Sequence, residues 1–87
     1  MKRNDRAHRI LGAVSGGPLR VNALKRQVAD AGMPRSIDRA KTWDTCLQMA
    51  DMGLITIADG LVRCTDAGRV AHMQTDLNMA VGRDSRP

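Results

Sequence analysis

The sequence predicts a mostly helical α+β fold, in which a three-helix core is completed by a short β-hairpin and a C-terminal helix. Apolar residues recur at helical spacing in four segments of the chain. The stretch GLITIADGLVRCTDAG, residues 53–68, instead alternates apolar and polar residues on both sides of Asp59-Gly60. The 87 residues suffice for one domain, whose core is aliphatic because Trp43 is the only large aromatic residue.

The first two helices are predicted from their apolar spacing and their end signals. Ala, Ile, Leu and Val recur at helical spacing over residues 7–14, and the turn SGGP at 15–18 ends this helix. Residues 19–21 are too few for a helix and predict a short edge strand. Asn22 is predicted to cap the second helix, which ends before Gly32.

The third helix is predicted to begin at Ser36, which can cap it, and to run to about Met52 before Gly53 ends it. Two stripes of this helix are equally suited to face the core. One passes through Ala40, Trp43, Leu47 and Ala50, and the other passes through Thr42, Cys46 and Met49. We favour a core position for Trp43, whereas an exposed Trp43 would favour a protein-contact role.

The hairpin is predicted to pair residues 55–58 with 61–64 through a type I′ turn at Asp59-Gly60. Thr65 or Asp66 then caps the last helix. This helix carries an apolar stripe that either packs on the first helix or pairs with a second copy of the chain in a homodimer. The stripe consists of Val70, Met73, Leu77 and Ala80.

These elements predict one domain at residues 7–81, between a flexible basic arm at 1–6 and a disordered tail at 82–87. The chain carries a formal charge of +5, which favours polyanionic partners and nucleic acid first. Bases outnumber acids in segments 1–9 and 20–26, whereas segment 30–44 holds three of each. Phosphate contacts are therefore expected mainly from the first two helices and the arm.

Several other classes of protein are disfavoured. There is no apolar run of membrane-spanning length and no signal-peptide core, and the cysteines form no CxxC pair, so a cytoplasmic location is expected. Cys46 and Cys64 are predicted to be small buried residues. His8 and His72 lie far apart in sequence, so no metal site is expected. No nucleophile stands in a catalytic motif, and we expect neither an enzyme nor a cofactor.

Three stretches resemble a winged helix-turn-helix domain of the MarR or ArsR kind. ILGAVSGGPLRVNALKRQVADAGM resembles the first helix, first strand and second helix of that family. CLQMADMGLI resembles the end of its recognition helix, and LVRCTDAGR resembles the returning strand of its wing. The resemblance covers residues 7–72 and implies a sequence-specific binder of double-stranded DNA. The small size suits a transcriptional regulator of a phage or mobile element.

The resemblance implies that the third helix enters the major groove while the second crosses the phosphate backbone. Asp38 and Asp44 on the third helix and Asp59 at the hairpin tip oppose such contacts by repelling phosphate. An alternative function is therefore a protein-interaction winged helix, such as a phage-encoded inhibitor that docks on a host protein. The candidate DNA-binding residues are Arg20, Lys25, Arg26, Arg35, Ser36, Arg39, Lys41, Thr42, Thr45, Gln48 and Arg63.

Overall fold

The computed structural model describes residues 1–2 and 4–84 of the chain, with side chains described up to residue 77. Its architecture confirms the predicted α+β class with a predominance of helix. In chain order the elements are α1 (Arg6–Ser15), β1 (Leu19–Arg20), α2 (Val21–Gln27), α3 (Arg35–Asp51), β2 (Ile55–Ala58), β3 (Leu61–Cys64) and α4 (Asp66–Asp84).

The three strands form one antiparallel sheet in the order β1-β3-β2. The hairpin pairs Ile57 with Val62 and Ala58 with Leu61. Asp59 and Gly60 both have positive φ angles, of 54° and 73°, as the predicted type I′ turn requires. The hairpin prediction is therefore confirmed, including its turn residues.

The core is aliphatic and lies where α1, α2 and α3 meet one face of the sheet. Because the period of a strand is two, Ile55 and Val62 turn inward while Thr56 and Arg63 turn outward. Each fully buried aliphatic side chain contributes about 1.5–3 kcal/mol of transfer free energy. The buried apolar residues are Ile10, Leu11, Val14, Leu24, Val28, Cys46, Met49, Ile55 and Val62.

Helix α4 begins at a side-chain cap and crosses closely over the sheet and α1. The Thr65 hydroxyl accepts from the Gly68 N–H at 3.0 Å and donates to the Gly53 carbonyl at 2.6 Å, so Thr65 is the predicted cap. A Cβ on Gly68 would overlap the Leu54 carbonyl oxygen, which explains glycine at this crossing. No helix in the described part of the chain is both long enough and apolar enough to span a membrane.

Helix α2 is shorter than predicted and starts without a side-chain cap. Its N-cap is Arg20, and Asn22 lies inside the helix, so the predicted capping role of Asn22 is wrong. The helix ends at Gln27, and just beyond it the Val28 carbonyl accepts from Arg9 Nη1 at 3.1 Å. The chain therefore leaves the helix before Gly32 and turns toward α1.

Helix α3 begins one residue before Ser36, with Pro34 at its N-cap, so the predicted cap at Ser36 is wrong. Proline suits a helix start because its missing N–H would have no intrahelical acceptor there. The helix ends at Asp51, and Gly53 follows the C-cap Met52, as predicted.

The ends of the folded region also differ from the predicted boundaries at residues 7 and 81. Asp5 caps α1 by accepting from the His8 N–H at 2.9 Å, and Arg6 belongs to α1 and not to an arm. Helix α4 continues to Asp84, three residues beyond the predicted boundary at 81. Arg3 of the predicted arm and residues 85–87 of the predicted tail lie outside the described residues.

An ionic cluster centred on Arg6 fixes α3 and the α2–α3 connection to α1. Arg6 Nη1 donates to Asp38 Oδ1 and to Thr42 Oγ1, both at 2.7 Å, and Nη2 donates to Asp30 Oδ2 at 2.8 Å. Arg9 Nη1 donates to Asp30 Oδ1 at 2.6 Å. The Asp30 N–H also donates to Asp38 Oδ1, at 3.1 Å. The buried Asp38 carboxylate is therefore compensated by the Arg6 guanidinium and by the Asp30 N–H.

These contacts favour the ionised carboxylates. The hydrogen bond from Arg9 lowers the pKa of Asp30, and the hydrogen bond from Arg6 lowers the pKa of Asp38. A carboxyl whose pKa is lower in the folded chain than in the unfolded chain stabilises the fold above the unfolded pKa. That stabilisation is lost as pH falls through the folded pKa.

We expect the midpoint of thermal unfolding, Tm, to be constant near neutral pH and to fall as pH drops below about 4, where aspartates begin to be protonated. Arg6→Met leaves Asp38 buried without its cation and should lower Tm at pH 7 by on the order of 10 °C. The variant should also weaken the dependence of Tm on pH between about 2 and 4. Circular dichroism melting measures both effects.

Arg63→Met is the matched control, since Arg63 is exposed on the sheet and has the same size and charge as Arg6. Its Tm should stay within a few degrees of that of the wild type, with the same acid dependence. An Arg6→Met variant as stable as this control would contradict a structural role for the cluster.

Candidate nucleic-acid interface

A basic cleft of about 270 Å³ lies between α2 and α3. Lys25 and Arg26, in the last turn of α2, line one side, and Arg35 and Arg39, near the start of α3, line the other. Four of the predicted site residues, from two helices, thus face one concave surface. Ala29 and Asp38 also line the cleft.

The acids of segment 30–44 weaken this positive surface less than the sequence suggests. Asp38 is only 2% exposed and bonds to Arg6, and Asp30 pairs with both Arg6 and Arg9. Asp44 alone of the three acids is exposed without an ion pair among the described residues. Arg6 and Arg9 are therefore neutralised inside the protein, which removes them from the expected phosphate contacts of the N-terminal segment.

Lys25 is held above the single tryptophan. Its Nζ lies 5.3 Å from the centroid of the Trp43 ring, within the range of a cation–π contact. Trp43 is half-buried and packs against the edge of the core, so its predicted core position is met only in part. The contact orders the Lys25 ammonium near the cleft while leaving its charge accessible.

Arg39 is tied to α2 by a second polar contact. Its Nη2 donates to Asn22 Oδ1 at 3.1 Å, and both side chains are exposed. Asn22 thus joins the two helices that form the cleft. This role was not predicted, because asparagine suits a helix cap equally well. The bond orients the guanidinium without neutralising it.

The inner face of α3 is the stripe through Asp38, Thr42, Cys46 and Met49. Thr42 is fully buried and its hydroxyl accepts from Arg6, so the prediction that it contacts DNA is wrong. Neither of the two stripes predicted to face the core included Asp38. Its spacing of four residues from Thr42 places it on the same buried stripe.

The remaining candidates on α3 stay on its accessible surface. Ser36, Lys41 and Gln48 are exposed. Thr45 is half-buried and donates its hydroxyl to the Lys41 carbonyl at 2.9 Å, so its oxygen retains an acceptor site. The outer surface of α3 therefore keeps polar groups along its whole length.

Arg20 and Arg63 lie on the exposed side of the sheet and do not line the cleft. Arg20 is opposite Leu61 in the register, and Arg63 is opposite Thr56, so all four project from the outer sheet face. The hairpin tip is docked on the start of α2, because the Val21 N–H donates to the Gly60 carbonyl at 3.0 Å. The hairpin is thus a fixed part of the fold and reaches little beyond it.

The two cysteines are free, with Cys46 buried and Cys64 partly buried. Burial raises the pKa of both thiols, which keeps them protonated and unreactive at neutral pH. Cys64 also donates its S–H to the Thr65 carbonyl at 3.3 Å. Their surroundings are those expected of structural residues, although Cys64 is less buried than predicted.

Comparisons of the chain with family models, with curated proteins and with solved structures found no match. The interpretation of the cleft therefore depends on its own residues.

The fluorescence of Trp43 should detect the positive charge of Lys25. We expect iodide, an anion, to quench this emission more strongly than caesium. Lys25→Met should lower the iodide quenching constant roughly twofold, because a nearby unit charge attracts the anion even through water.

Lys41→Met is the control for this experiment. It removes the same charge from α3 two residues away from Trp43, on a different side of the helix. Equal loss of iodide quenching in both variants would contradict the specific Lys25–Trp43 contact.

Proposed function

We propose that the protein is a sequence-specific binder of double-stranded DNA with a winged helix-turn-helix architecture, acting as a small transcriptional regulator of phage or mobile-element type. The observation that carries the proposal is the α2–α3 cleft, in which Lys25, Arg26, Arg35 and Arg39 converge. Convergent cations at the junction of two helices suit the closely spaced charges of a phosphate backbone.

The order of elements supports the architecture. A helix, a short strand, two helices and a hairpin follow one another, and the first strand joins the hairpin in a single sheet. In such an arrangement the second of the two central helices enters the major groove. Here that helix is α3, whose buried stripe leaves the basic and polar residues outside.

The residues divide between two tasks. Lys25 and Arg26 at the end of α2 are suited to phosphate contacts, which set affinity and orientation. Arg35, Arg39 and Gln48 on α3 have the side chains that read guanine and adenine edges. Ser36, Lys41 and Thr45 add contacts from the same surface, and Arg20 and Arg63 offer phosphate contacts from the outer sheet face.

We expect binding to duplex DNA to weaken steeply with salt, with a log–log slope of about −0.9 for each phosphate contacted. Arg26→Gln should weaken binding to all sequences alike and reduce that slope by about one. Arg35→Gln should weaken binding in the same assay, and more for a preferred sequence if Arg35 reads a base. Fluorescence anisotropy across a salt series measures these effects.

Arg69→Gln provides the matched control. Arg69 is an exposed arginine on α4, remote in sequence from the cleft, and it pairs with Asp66. Its loss should leave affinity and salt slope within error of the wild type. Absence of DNA binding by the folded wild-type protein at low salt would overturn the proposal.

We further propose that the regulator is a homodimer formed through α4. Helix α4 packs on α1 through its side bearing Gly68 and Ala71, and it exposes Val70, Met73 and Leu77 by 46–55%. These three residues keep a helical spacing, as a self-complementary helix pair requires. Ala80, the fourth predicted member of the stripe, has a side chain outside the described part.

Met73→Lys should convert the dimer to a 9.5 kDa monomer, because it places a charge in the centre of an apolar contact. Gln74→Lys adds the same charge at the neighbouring exposed position and should leave the dimer intact. Sedimentation velocity at micromolar concentration distinguishes the two species. A wild-type monomer under these conditions would remove the dimer proposal but not the DNA proposal.

A second candidate function is docking on a protein partner through the C-terminal half of α3. Leu47 and Met52 are 47% and 71% exposed, and Asp44 and Asp51 flank them with negative charge. This mixed apolar and acidic surface differs from the basic cleft at the other end of the helix. Retained folding without DNA binding would favour this alternative.

A further inference from the structure

Two histidines and an aspartate that are distant in sequence meet where α1 packs against α4. His8 belongs to α1, and His72 and Asp76 stand four residues apart on α4. His8 Nε2 lies 3.0 Å from Asp76 Oδ1, and His72 Nδ1 lies 4.0 Å from Asp76 Oδ2. The two imidazole rings are stacked, with their centroids 4.5 Å apart. Each ring thus turns a nitrogen toward the same carboxylate.

The spacing of these atoms is close to that of three ligands around a single metal ion. Nitrogen and oxygen ligands bind Zn²⁺ at about 2.0–2.2 Å, so two ligands of one ion lie no more than about 4.4 Å apart. One candidate donor atom from each residue can be chosen so that all three lie within 4.8 Å of one another. Around a tetrahedral ion the ligand atoms lie about 3.4 Å apart, so the partly exposed His72 ring must rotate out of the stack before both nitrogen lone pairs can point at one ion.

We propose that His8, His72 and Asp76 form a binding site for a divalent transition metal ion, with Zn²⁺ as the representative. Imidazole and carboxylate ligands favour Zn²⁺, Ni²⁺ and Cu²⁺ over the hard ions Mg²⁺ and Ca²⁺. His72 and Asp76 follow the i, i+4 spacing that places two ligands on one helix face. This site is separate from the basic cleft and does not depend on DNA binding.

Access and coordination are compatible with a bound ion. His8 is buried, His72 is partly exposed and the side chain of Asp76 is 48% exposed, so the site is closed toward the core and open to solvent on one side. Water can complete the coordination shell from the open side. Such a site has the three protein ligands and one free position of many zinc centres.

Metal binding requires a proton to move on His8. The Asn4 N–H donates to His8 Nδ1 at 3.2 Å, so Nε2 carries the proton and donates to Asp76 in the metal-free protein. A metal at Nε2 takes the place of that proton, which moves to Nδ1. The Asn4 N–H then loses His8 Nδ1 as its acceptor and donates to water. This exchange costs little because Asn4 lies in an exposed turn before α1.

A metal held in this way would clamp α4 onto α1. Two ligands come from α4 and one from α1, so the ion binds only when the helices are docked. By mass action, an ion that binds the folded chain raises its resistance to unfolding. The stabilisation should saturate at one ion per chain.

The experiment uses the full chain without an affinity tag, in a buffer that does not chelate metals. ZnCl₂ at about a hundred times its dissociation constant should raise Tm by at least about 5 °C. Isothermal titration should give one site per chain. His72→Gln and Asp76→Asn should each lose this increase while folding normally without metal, and Asp44→Asn, an exposed acid on α3, should retain it.

Cobalt provides a second readout that distinguishes the ligands. Co²⁺ bound by the cluster should give visible d–d absorption without a thiolate charge-transfer band. Zn²⁺ stabilisation that persists in both α4 variants, or Co²⁺ spectra with thiolate character, would assign binding elsewhere and overturn the proposal. An unchanged or lowered Tm of the wild type with Zn²⁺ would also overturn it.

Discussion

The Arg6 guanidinium is the contact on which the arrangement of the helices depends. It is the one group in the described residues that bonds at once to Asp30 in the α2–α3 connection and to Asp38 and Thr42 in α3. A buried carboxylate is costly without a cation and further hydrogen bonds. Asp38 can therefore face inward only while Arg6 is present, and this orientation fixes the rotation of α3 about its axis.

The rotation of α3 decides what the protein presents to a partner. With Asp38 and Thr42 inward, Arg35 and Arg39 point outward beside Lys25 and Arg26 of α2. A different rotation of α3 would separate Asp38 from Arg6 and leave its charge uncompensated. The internal ion pairs thus hold Asp38 inside and Asp30 against α1, while the bases of the cleft stay outside.

The elements that the sequence predicted correctly are those governed by local chemistry. Asp59-Gly60 has few alternatives to a type I′ turn, and Thr65 needs only the next turn of its own helix for capping. Most of the errors arose where distant residues decide. Asn22 bonds across to Arg39, and the buried Thr42 hydroxyl accepts from Arg6. His8 and His72 stack although they are distant in sequence, a contact that no local pattern reveals.

Helix α1 connects two regions of the protein through different faces. Arg6 and Arg9, three residues apart, hold the cleft-forming segments, whereas His8 lies on another side and contacts α4. The buried Ile10 and Leu11 continue the core next to both contacts. Because the cleft and α4 attach to separate faces of a helix fixed in the core, a change at α4 need not disturb the cleft.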